Sequence, residues 1–247
     1  FFTQLMDLSI VIPAYNEEKR LGGSLSKIIP YLDSLELNYE IIVVDDGSKD
    51  KTIEVANQFK DKTNLRVLEN KINRGKGYSV KQGILDAKFD HVLFTDSDLA
   101  TPIDELDILL EGLKEDNDIV IASRTLEDSE IIVNQPFYRQ IMGKTFPLMV
   151  RVIAVRGISD TQCGFKLFKT EVIQNIVKHQ TIDRFGFDVE LLFLAKKMNY
   201  KIKEVPVQWI DQEGSRLHPI KDGYGMFKEL LKVRSNHFLG KYKINQA

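Results

Sequence analysis

The chain has 247 residues, of which 43% are hydrophobic and 28% are charged, and its formal net charge at pH 7 is −2. This composition is typical of a folded globular protein and excludes wholesale disorder, and the near-neutral charge argues against a nucleic-acid partner. The single cysteine, Cys163, excludes an internal disulfide framework and a zinc site built from several cysteines.

Strand and helix patterns alternate over the first 122 residues. Short apolar runs predict strands, and apolar residues spaced by three or four predict the helices between them. In chain order we expect a strand at 8–12, a helix at 17–32, a strand at 39–44, a helix at 50–59 capped by Ser48, a strand at 65–68, a helix at 75–87, a strand at 91–94, a helix from Pro102 to 113 and a strand at 118–122. This alternation is typical of a mostly parallel sheet with helices on both faces.

The second half of the chain is less regular. We expect a strand at 164–168, a helix at 189–198, a strand at 201–209 and an amphipathic helix at 222–237. The stretch 136–155 is apolar with scattered basic residues and is interrupted by Pro147. Because no repeat, low-complexity tract or linker separates the halves, we predict a single domain over 1–247.

Three acidic clusters follow predicted strands, at 13–18, 45–48 and 96–98. Ligands of open α/β sheets bind at the carboxyl ends of the strands, so we expect the clusters to lie together. Converging carboxylates are costly unless positive charge lies among them. A divalent cation with a phosphorylated ligand supplies that charge, because Mg²⁺ takes one or two carboxylates plus phosphate oxygens. Each cluster alone is also compatible with ordinary turn or helix-capping chemistry.

Two common nucleotide-binding motifs are absent. No Gly-x-Gly-x-x-Gly follows the first strand, where Pro13 stands, and no Gly-x-x-x-x-Gly-Lys-Ser/Thr occurs. This argues against a Rossmann dehydrogenase and a P-loop NTPase. The stretch 73–77 opens the third predicted helix, and its glycines allow a ligand to approach the backbone while Lys76 reaches a phosphate. A plain glycine-rich helix start is the alternative.

Basic charge is concentrated in two segments. Residues 131–159 hold four basic residues and no acidic one, and residues 216–247 hold seven basic and two acidic residues. Such segments, when rich in apolar residues, suit anionic membrane surfaces or phosphorylated ligands, and a solvated helix face is the alternative. The longest uncharged run, at 8–16, has nine residues, whereas a spanning helix needs roughly 20. Residues 1–4 show no signal-peptide pattern, and an anchor preceding them stays an open alternative.

Taken together, these motifs resemble family 2 glycosyltransferases of the GT-A fold. The matching stretches of the first half are 11–18, 44–48, 73–77 and 96–98. The second half resembles the polyprenyl-phosphate branch of the family, through Ser123-Arg124 and the stretches 160–168, 187–192 and 213–216. Residues 161–166 are similar to the glucose-transferring members rather than the mannose-transferring ones. The resemblance covers about residues 8–238.

The resemblance implies an inverting transfer of glucose from UDP-glucose to dolichyl or another polyprenyl phosphate, for protein glycosylation. It further implies a Mg²⁺ or Mn²⁺ cofactor and a place on the cytoplasmic face of a membrane, the endoplasmic reticulum in a eukaryote or the plasma membrane in an archaeon or bacterium. Residues 1–122 would form the nucleotide-sugar half, 123–215 the acceptor half and 216–247 a basic amphipathic segment. Transfer of mannose from GDP-mannose and a non-catalytic nucleotide-binding module are the alternatives. A sugar nucleotidyltransferase is disfavoured because 13–18 is acidic.

The resemblance also implies which residues form the site. Those that would hold the nucleotide sugar are Pro13, Ala14, Tyr15, Glu17, Asp45, Asp46, Lys76, Asp96, Ser97 and Arg216. Asp96 and Asp98 would bind the metal, and Arg139 would meet the acceptor phosphate. The implied catalytic set is Asp98, Arg124, Asp160 and Asp188.

Within this set, Arg124 would neutralise the donor phosphates, and Asp160 or Asp188 would serve as a base or bind a sugar hydroxyl. A strong base is optional, because a phosphate acceptor is already anionic at pH 7. The chain departs from its mannosyl relatives at Ala100, where a metal-binding Gln is frequent, and at Gly143, where Ser is frequent. We expect Cys163 to be a packed small side chain and Trp209 to be a core or rim residue, with a lipid or sugar platform as the alternative for Trp209.

Overall fold

The short β-branched runs form strands, and most of them are buried on both faces. The computed structural model describes residues 7–35, 37–132, 155–210 and 219–244, with side chains from 225 onward in the last range. The strands are β1 (Asp7–Ala14), β2 (Asn38–Asp45), β3 (Leu65–Glu69), β4 (His91–Thr95), β5 (Ile119–Ser123), β6 (Glu130–Ile132), β7 (Phe165–Lys169), β8 (Ile202–Pro206) and β9 (Gln208–Ile210). The helices are α1 (Leu21–Ser34), α2 (Thr52–Asn57), α3 (Lys76–Asp86), α4 (Leu106–Lys114), α5 (Thr170–Val177), α6 (Phe187–Lys197) and α7 (Pro219–Phe238), with a 3₁₀ turn at Ile103–Glu105.

Seven strands form one sheet in the order β3-β2-β1-β4-β7-β5-β8. Neighbouring strands are parallel, except that β7 runs antiparallel to both β4 and β5. The predicted mostly parallel sheet is therefore confirmed, with one reversed strand that the pattern does not predict. β6 and β9 form a separate parallel ribbon, in which Ile131 lies opposite Trp209.

Alternate side chains of the strands supply two cores, one on each face of the sheet. On one face, Ile10 and Ile12 of β1 pack in a cluster with buried residues of α1 and α4. On the other face, Val11 belongs to a cluster formed with α3, α5, α6 and α7. The two-residue period of a strand places successive residues on opposite faces, so the predicted helices on both faces are confirmed.

Several predicted element boundaries are wrong for local reasons. Ser48 does not cap α2, which begins at Thr52, because the Ser48 hydroxyl accepts a hydrogen bond from the Asn16 N–H at 2.8 Å. The helix predicted from 17 begins at Leu21, because the Glu17 carbonyl closes a turn by accepting the N–H groups of Arg20 and Leu21. The strand predicted at 201–209 is divided at Val207, since β8 pairs with β5 and β9 pairs with β6.

Two elements were not predicted at all. The pattern does not predict β6, whose three residues are exposed. It does not predict α5 either, although its buried residues Val172, Ile173, Ile176 and Val177 have helical spacing. Over the residues that the structure describes, there is no helix with the length and apolar character that a bilayer crossing demands.

Candidate active site

The carboxyl ends of β1, β2, β4 and β5 bring the predicted clusters to one edge of the sheet. Parallel pairing places Ala14 beside Asp45, and the Asp46 N–H donates to the Ala14 carbonyl at 2.8 Å. Pro13 and Ala14 are buried at the end of β1, whereas Tyr15 is half-buried beyond it. After β4, Ser97 is buried, and its carbonyl accepts the Ser24 hydroxyl at 2.7 Å. The first and third clusters are thereby joined through α1.

Asp45 and Asp46 have different environments despite being adjacent. Asp46 accepts the backbone N–H groups of Arg74 at 2.9 Å and Gly75 at 2.8 Å, so both its oxygens hold the loop before α3. Asp45 accepts the N–H groups of Gly47 and Ser48 through Oδ2 only. Its Oδ1 is buried and has no hydrogen-bond partner among the described residues. Of these two acids, Asp45 is therefore the one whose second oxygen is not engaged by the described residues.

Arg20 links two of the acidic clusters, and the sequence analysis did not identify it. Its guanidinium donates two hydrogen bonds to Glu17, at 2.7 and 2.6 Å, and its Nη1 lies 3.5 Å from Asp98 Oδ2. Burial and the nearby Asp96 raise the pKa of Asp98, and the cations Arg20 and Lys76 only partly offset this. The sequence does contain a signal for the Arg20–Glu17 pair, because Arg20 follows Glu17 by three residues, the spacing of neighbours on one face of a helix.

Lys76 and Gly164 together define the position of the Asp96 carboxylate. The Lys76 ammonium lies 2.6 Å from Asp96 Oδ1. The Asp96 N–H donates to the Gly164 carbonyl, and a Cβ placed on Gly164 would lie 2.1 Å from Asp96 Oδ2. The carboxylate therefore occupies the space that a side chain at 164 would fill.

Arg124 is fixed by the buried Asp160. The guanidinium donates to both carboxylate oxygens, at 2.6 and 3.0 Å, and its carbon Cζ lies 5.5 Å from the centre of the half-buried Trp209 ring. Burial opposes the charged form of Asp160, but Arg124 outweighs burial and lowers the pKa of Asp160 to about 2. Glu204, which the sequence analysis did not identify, accepts the Asp160 N–H at 2.9 Å. Asp160 is consequently a weak proton acceptor at neutral pH.

Asp188 is buried and paired with Lys166, whose side chain is only 2% exposed. The Lys166 ammonium donates to Asp188 Oδ1 at 2.6 Å and to the Cys163 carbonyl at 2.5 Å. Burial raises the pKa of Asp188, although Lys166 and Lys76 favour its charged form. Cys163 is fully buried as predicted, and burial raises the pKa of its thiol to about 11.

Positive side chains therefore lie among the converging acids, as the charge argument requires. The four pairings are Arg20 with Glu17, Lys76 with Asp96, Arg124 with Asp160 and Lys166 with Asp188. In the part of the chain that the structure describes, no group of three or more His, Cys, Asp or Glu residues forms a metal site. Asp96 and Asp98 supply carboxylate oxygens, the kind of ligand that Mg²⁺ and Mn²⁺ prefer. Arg139, Gly143 and Arg216 lie outside the described residues.

The family described as Glycosyl transferase family 2 matches this chain over residues 9–177. The relative named dolichyl-phosphate beta-glucosyltransferase of Dictyostelium discoideum is 40% identical over 250 residues, covering 96% of this chain and 76% of that protein. The human protein of the same name is 36% identical, and the alignment covers 97% of this chain and 78% of that protein. The Saccharomyces cerevisiae protein of that name is 32% identical and covers 97% and 77%.

Two solved structures establish the GT-A fold. Glucosyl-3-phosphoglycerate synthase from Mycobacterium tuberculosis, crystallised with Mn²⁺, UDP and glucosyl-3-phosphoglycerate, has a TM-score of 0.69 at 20% identity and covers 98% of this chain and 82% of its own. Mannosyl-3-phosphoglycerate synthase from Rubrobacter xylanophilus has a TM-score of 0.66 at 18% identity, and the match covers 98% of this chain and 76% of that protein.

Proposed function

The chain belongs to glycosyl transferase family 2, and from that membership we propose that it transfers glucose from UDP-glucose to dolichyl phosphate with inversion at the anomeric carbon. The observation that carries the proposal is the edge of the sheet where Asp96, Asp98 and Arg124 follow β4 and β5. Carboxylates for a metal and a cation for phosphate are the groups that a nucleoside diphosphate sugar requires. Relatives with this activity in their names align with 96% and 97% of the chain.

Donor binding is assigned to the ends of β1, β2 and β4. Asp45, through the Oδ1 that has no hydrogen-bond partner among the described residues, together with Tyr15 and Glu17, would hold the base and ribose. Asp46 contributes indirectly, because both of its oxygens hold the loop that carries Lys76. Asp96 and Asp98 would hold Mg²⁺ or Mn²⁺ together with the diphosphate. When bound, that ion would supply a Lewis acid for the negative charge of the leaving UDP.

The reaction is an attack by a phosphate oxygen of the acceptor on the anomeric carbon. A new carbon–oxygen bond forms as the bond to UDP breaks, and UDP leaves with the electron pair. Arg124 would stabilise the charge that develops on the diphosphate, and Asp160 keeps the guanidinium oriented. The pKa of about 2 argues that Asp160 positions Arg124 and does not act as a base. An anionic acceptor makes such a base unnecessary.

The acceptor side of the proposal involves the membrane surface. Arg139 would meet the lipid phosphate, and the basic segments 136–156 and 216–247 would face anionic headgroups. Within the described part of the second segment, α7 buries Leu230 and Val233 and exposes Leu231 (47%) and Phe238 (80%). An outward face that mixes apolar and lysine side chains is typical of helices that lie on a membrane. Membrane association on the cytoplasmic face follows from this assignment.

A donor panel tests the proposed function. Purified protein is incubated with dolichyl phosphate, Mg²⁺ or Mn²⁺, and labelled UDP-glucose, UDP-N-acetylglucosamine or GDP-mannose, and label in the lipid fraction is counted. We expect label from UDP-glucose alone, loss of at least about 100-fold in Asp98→Asn and no change in the exposed control Asp61→Asn. Lipid label from GDP-mannose would establish the mannosyl alternative, and UDP binding without transfer would establish a binding module.

A further inference from the structure

Lys76 occupies the part of the site where a divalent ion would be needed. Its ammonium lies 2.6 Å from Asp96 Oδ1, and Asp188 and Asp98 are close enough to interact with it electrostatically. It also lies 5.3 Å from the centre of the Phe94 ring and 6.0 Å from that of the Phe187 ring, so its neighbours are acids and aromatic rings. The ammonium is thus the counter-charge of Asp96.

The backbone that carries Lys76 is held in one position. Gly75 has a φ of 115°, its N–H donates to Asp46, and a Cβ there would lie 2.4 Å from the Asp183 carbonyl oxygen. The Tyr78 N–H donates to the same carbonyl at 3.0 Å. With its backbone fixed at both sides, Lys76 can leave Asp96 only by rotating its own side chain.

A divalent ion held by Asp96 would compete with the Lys76 ammonium for that carboxylate. If the ion binds alone, it places two positive charges beside an ammonium that has lost its partner, and like charges at contact distance repel. A nucleoside diphosphate changes this balance, because its oxygens can receive both the ion and the displaced ammonium. Asp98 is paired less closely, because Arg20 Nη1 lies 3.5 Å from its Oδ2 and the same guanidinium is also bonded to Glu17.

We propose that Lys76 is an internal counter-ion that makes divalent metal binding depend on the donor diphosphate. The inference rests on the proposed donor and metal and assigns Lys76 a role in the order of binding. Metal and diphosphate therefore bind cooperatively. The diphosphate supplies oxygens for the metal and for the displaced Lys76 ammonium, and the metal supplies positive charge for the diphosphate. By linkage, UDP and the metal then strengthen each other's binding by the same factor.

The test measures binding of Mn²⁺ with and without UDP, with neither sugar nor lipid present. Free Mn²⁺ is followed by electron paramagnetic resonance during titration of the wild type and of Lys76→Met. We expect UDP to tighten Mn²⁺ binding to the wild type within the usual range of about 5- to 150-fold. In Lys76→Met, Mn²⁺ alone should bind at least about 5-fold tighter than in the wild type, and the factor due to UDP should fall accordingly.

Two matched variants make the result specific. Lys81→Met removes an ammonium from the same helix, where it donates to the Gln180 carbonyl and not to a carboxylate, and should retain wild-type coupling. Lys76→Arg keeps the positive charge and should also retain the coupling between UDP and Mn²⁺. Lys76→Gln replaces Lys76→Met if circular dichroism shows that the latter is unfolded.

The inference is overturned if Mn²⁺ alone binds Lys76→Met no tighter than Lys81→Met while UDP still tightens binding to the same degree. That outcome leaves the proposed function intact. If the wild type binds neither Mn²⁺ nor UDP, both the inference and the proposed function fail.

Discussion

At the scale of single residues, the side chains of the site are held by particular neighbours. Asp96 occupies the space beside Gly164, and Arg124 is hydrogen-bonded to both oxygens of Asp160. Asp46 accepts hydrogen bonds from the backbone of the loop before α3. The acids of the predicted clusters are therefore not equivalent. Some would face the donor, and others fix the residues that would face it.

Gly164→Ala provides a test of this arrangement. A Cβ at 164 would lie 2.1 Å from Asp96 Oδ2, so the carboxylate must shift. A displacement of about 1 Å in a reacting site costs about 100-fold in rate, and we expect a loss of that order in kcat/KM for glucosyl transfer. Gly23→Ala is the matched control, because a Cβ at that position would meet nothing within 4 Å, and it should keep full activity. Wild-type kinetics in Gly164→Ala would contradict the constraint on Asp96.

At the scale of elements, the N-terminus of α3 is packed against the segment that precedes α6. A Cβ on Gly77 would be 2.8 Å from the Ile182 carbonyl oxygen of this segment and 2.6 Å from Cβ of Phe187, the first residue of α6. The segment is held from the other side by α7, where Glu229 accepts the Gly186 N–H at 2.7 Å. The loop with Lys76 is thus supported by two elements that are distant in sequence.

Gly77→Ala should weaken this packing. The atoms that its Cβ would meet include backbone carbonyls, which cannot rotate away, so we expect overpacking to destabilise the fold by about 1 to 3 kcal/mol. Thermal and urea unfolding measured by circular dichroism would give this value. Gly225→Ala in α7, with nothing within 4 Å, should not be destabilised. Equal stability of both variants would show that the contact tolerates a methyl group.

At the scale of the whole molecule, the proposed donor edge, at the carboxyl ends of β1, β2, β4 and β5, and the proposed membrane face on α7 belong to different parts of the chain. The donor edge follows β1, β2, β4 and β5, whereas α7 carries exposed Leu231 and Phe238, and exposed Leu239 follows directly after it. A net charge of −2 conceals this division, since residues 216–247 hold seven basic and two acidic residues.

Vesicle co-sedimentation tests the membrane face. We expect the protein to bind vesicles that contain phosphatidylserine at low salt and to bind neutral vesicles more weakly, with binding lost as salt screens the lysines. The triple variant Leu231→Ser, Phe238→Ser and Leu239→Ser should bind at least about 10-fold more weakly, because it loses exposed apolar area. Leu85→Ser, which changes a residue 42% exposed on α3, should bind like the wild type. Equal binding of the wild type to neutral and anionic vesicles would contradict the electrostatic part of the proposal.

The sequence by itself determined the elements of the first half and the location of the charged clusters. Both are local properties, because hydrophobic period sets the type of element, and the carboxyl end of a parallel strand sets where Asp45 and Asp96 lie. Only the tertiary structure decided that β7 inserts antiparallel between β4 and β5, that Arg20 also approaches Asp98, and that Lys76 and Lys166 each pair with a particular acid. The partners Lys76 and Asp96 are 20 positions apart, and Arg20 and Asp98 are 78 apart. No local pattern encodes such pairs, because chain packing, and not neighbouring sequence, brings the two charges into contact.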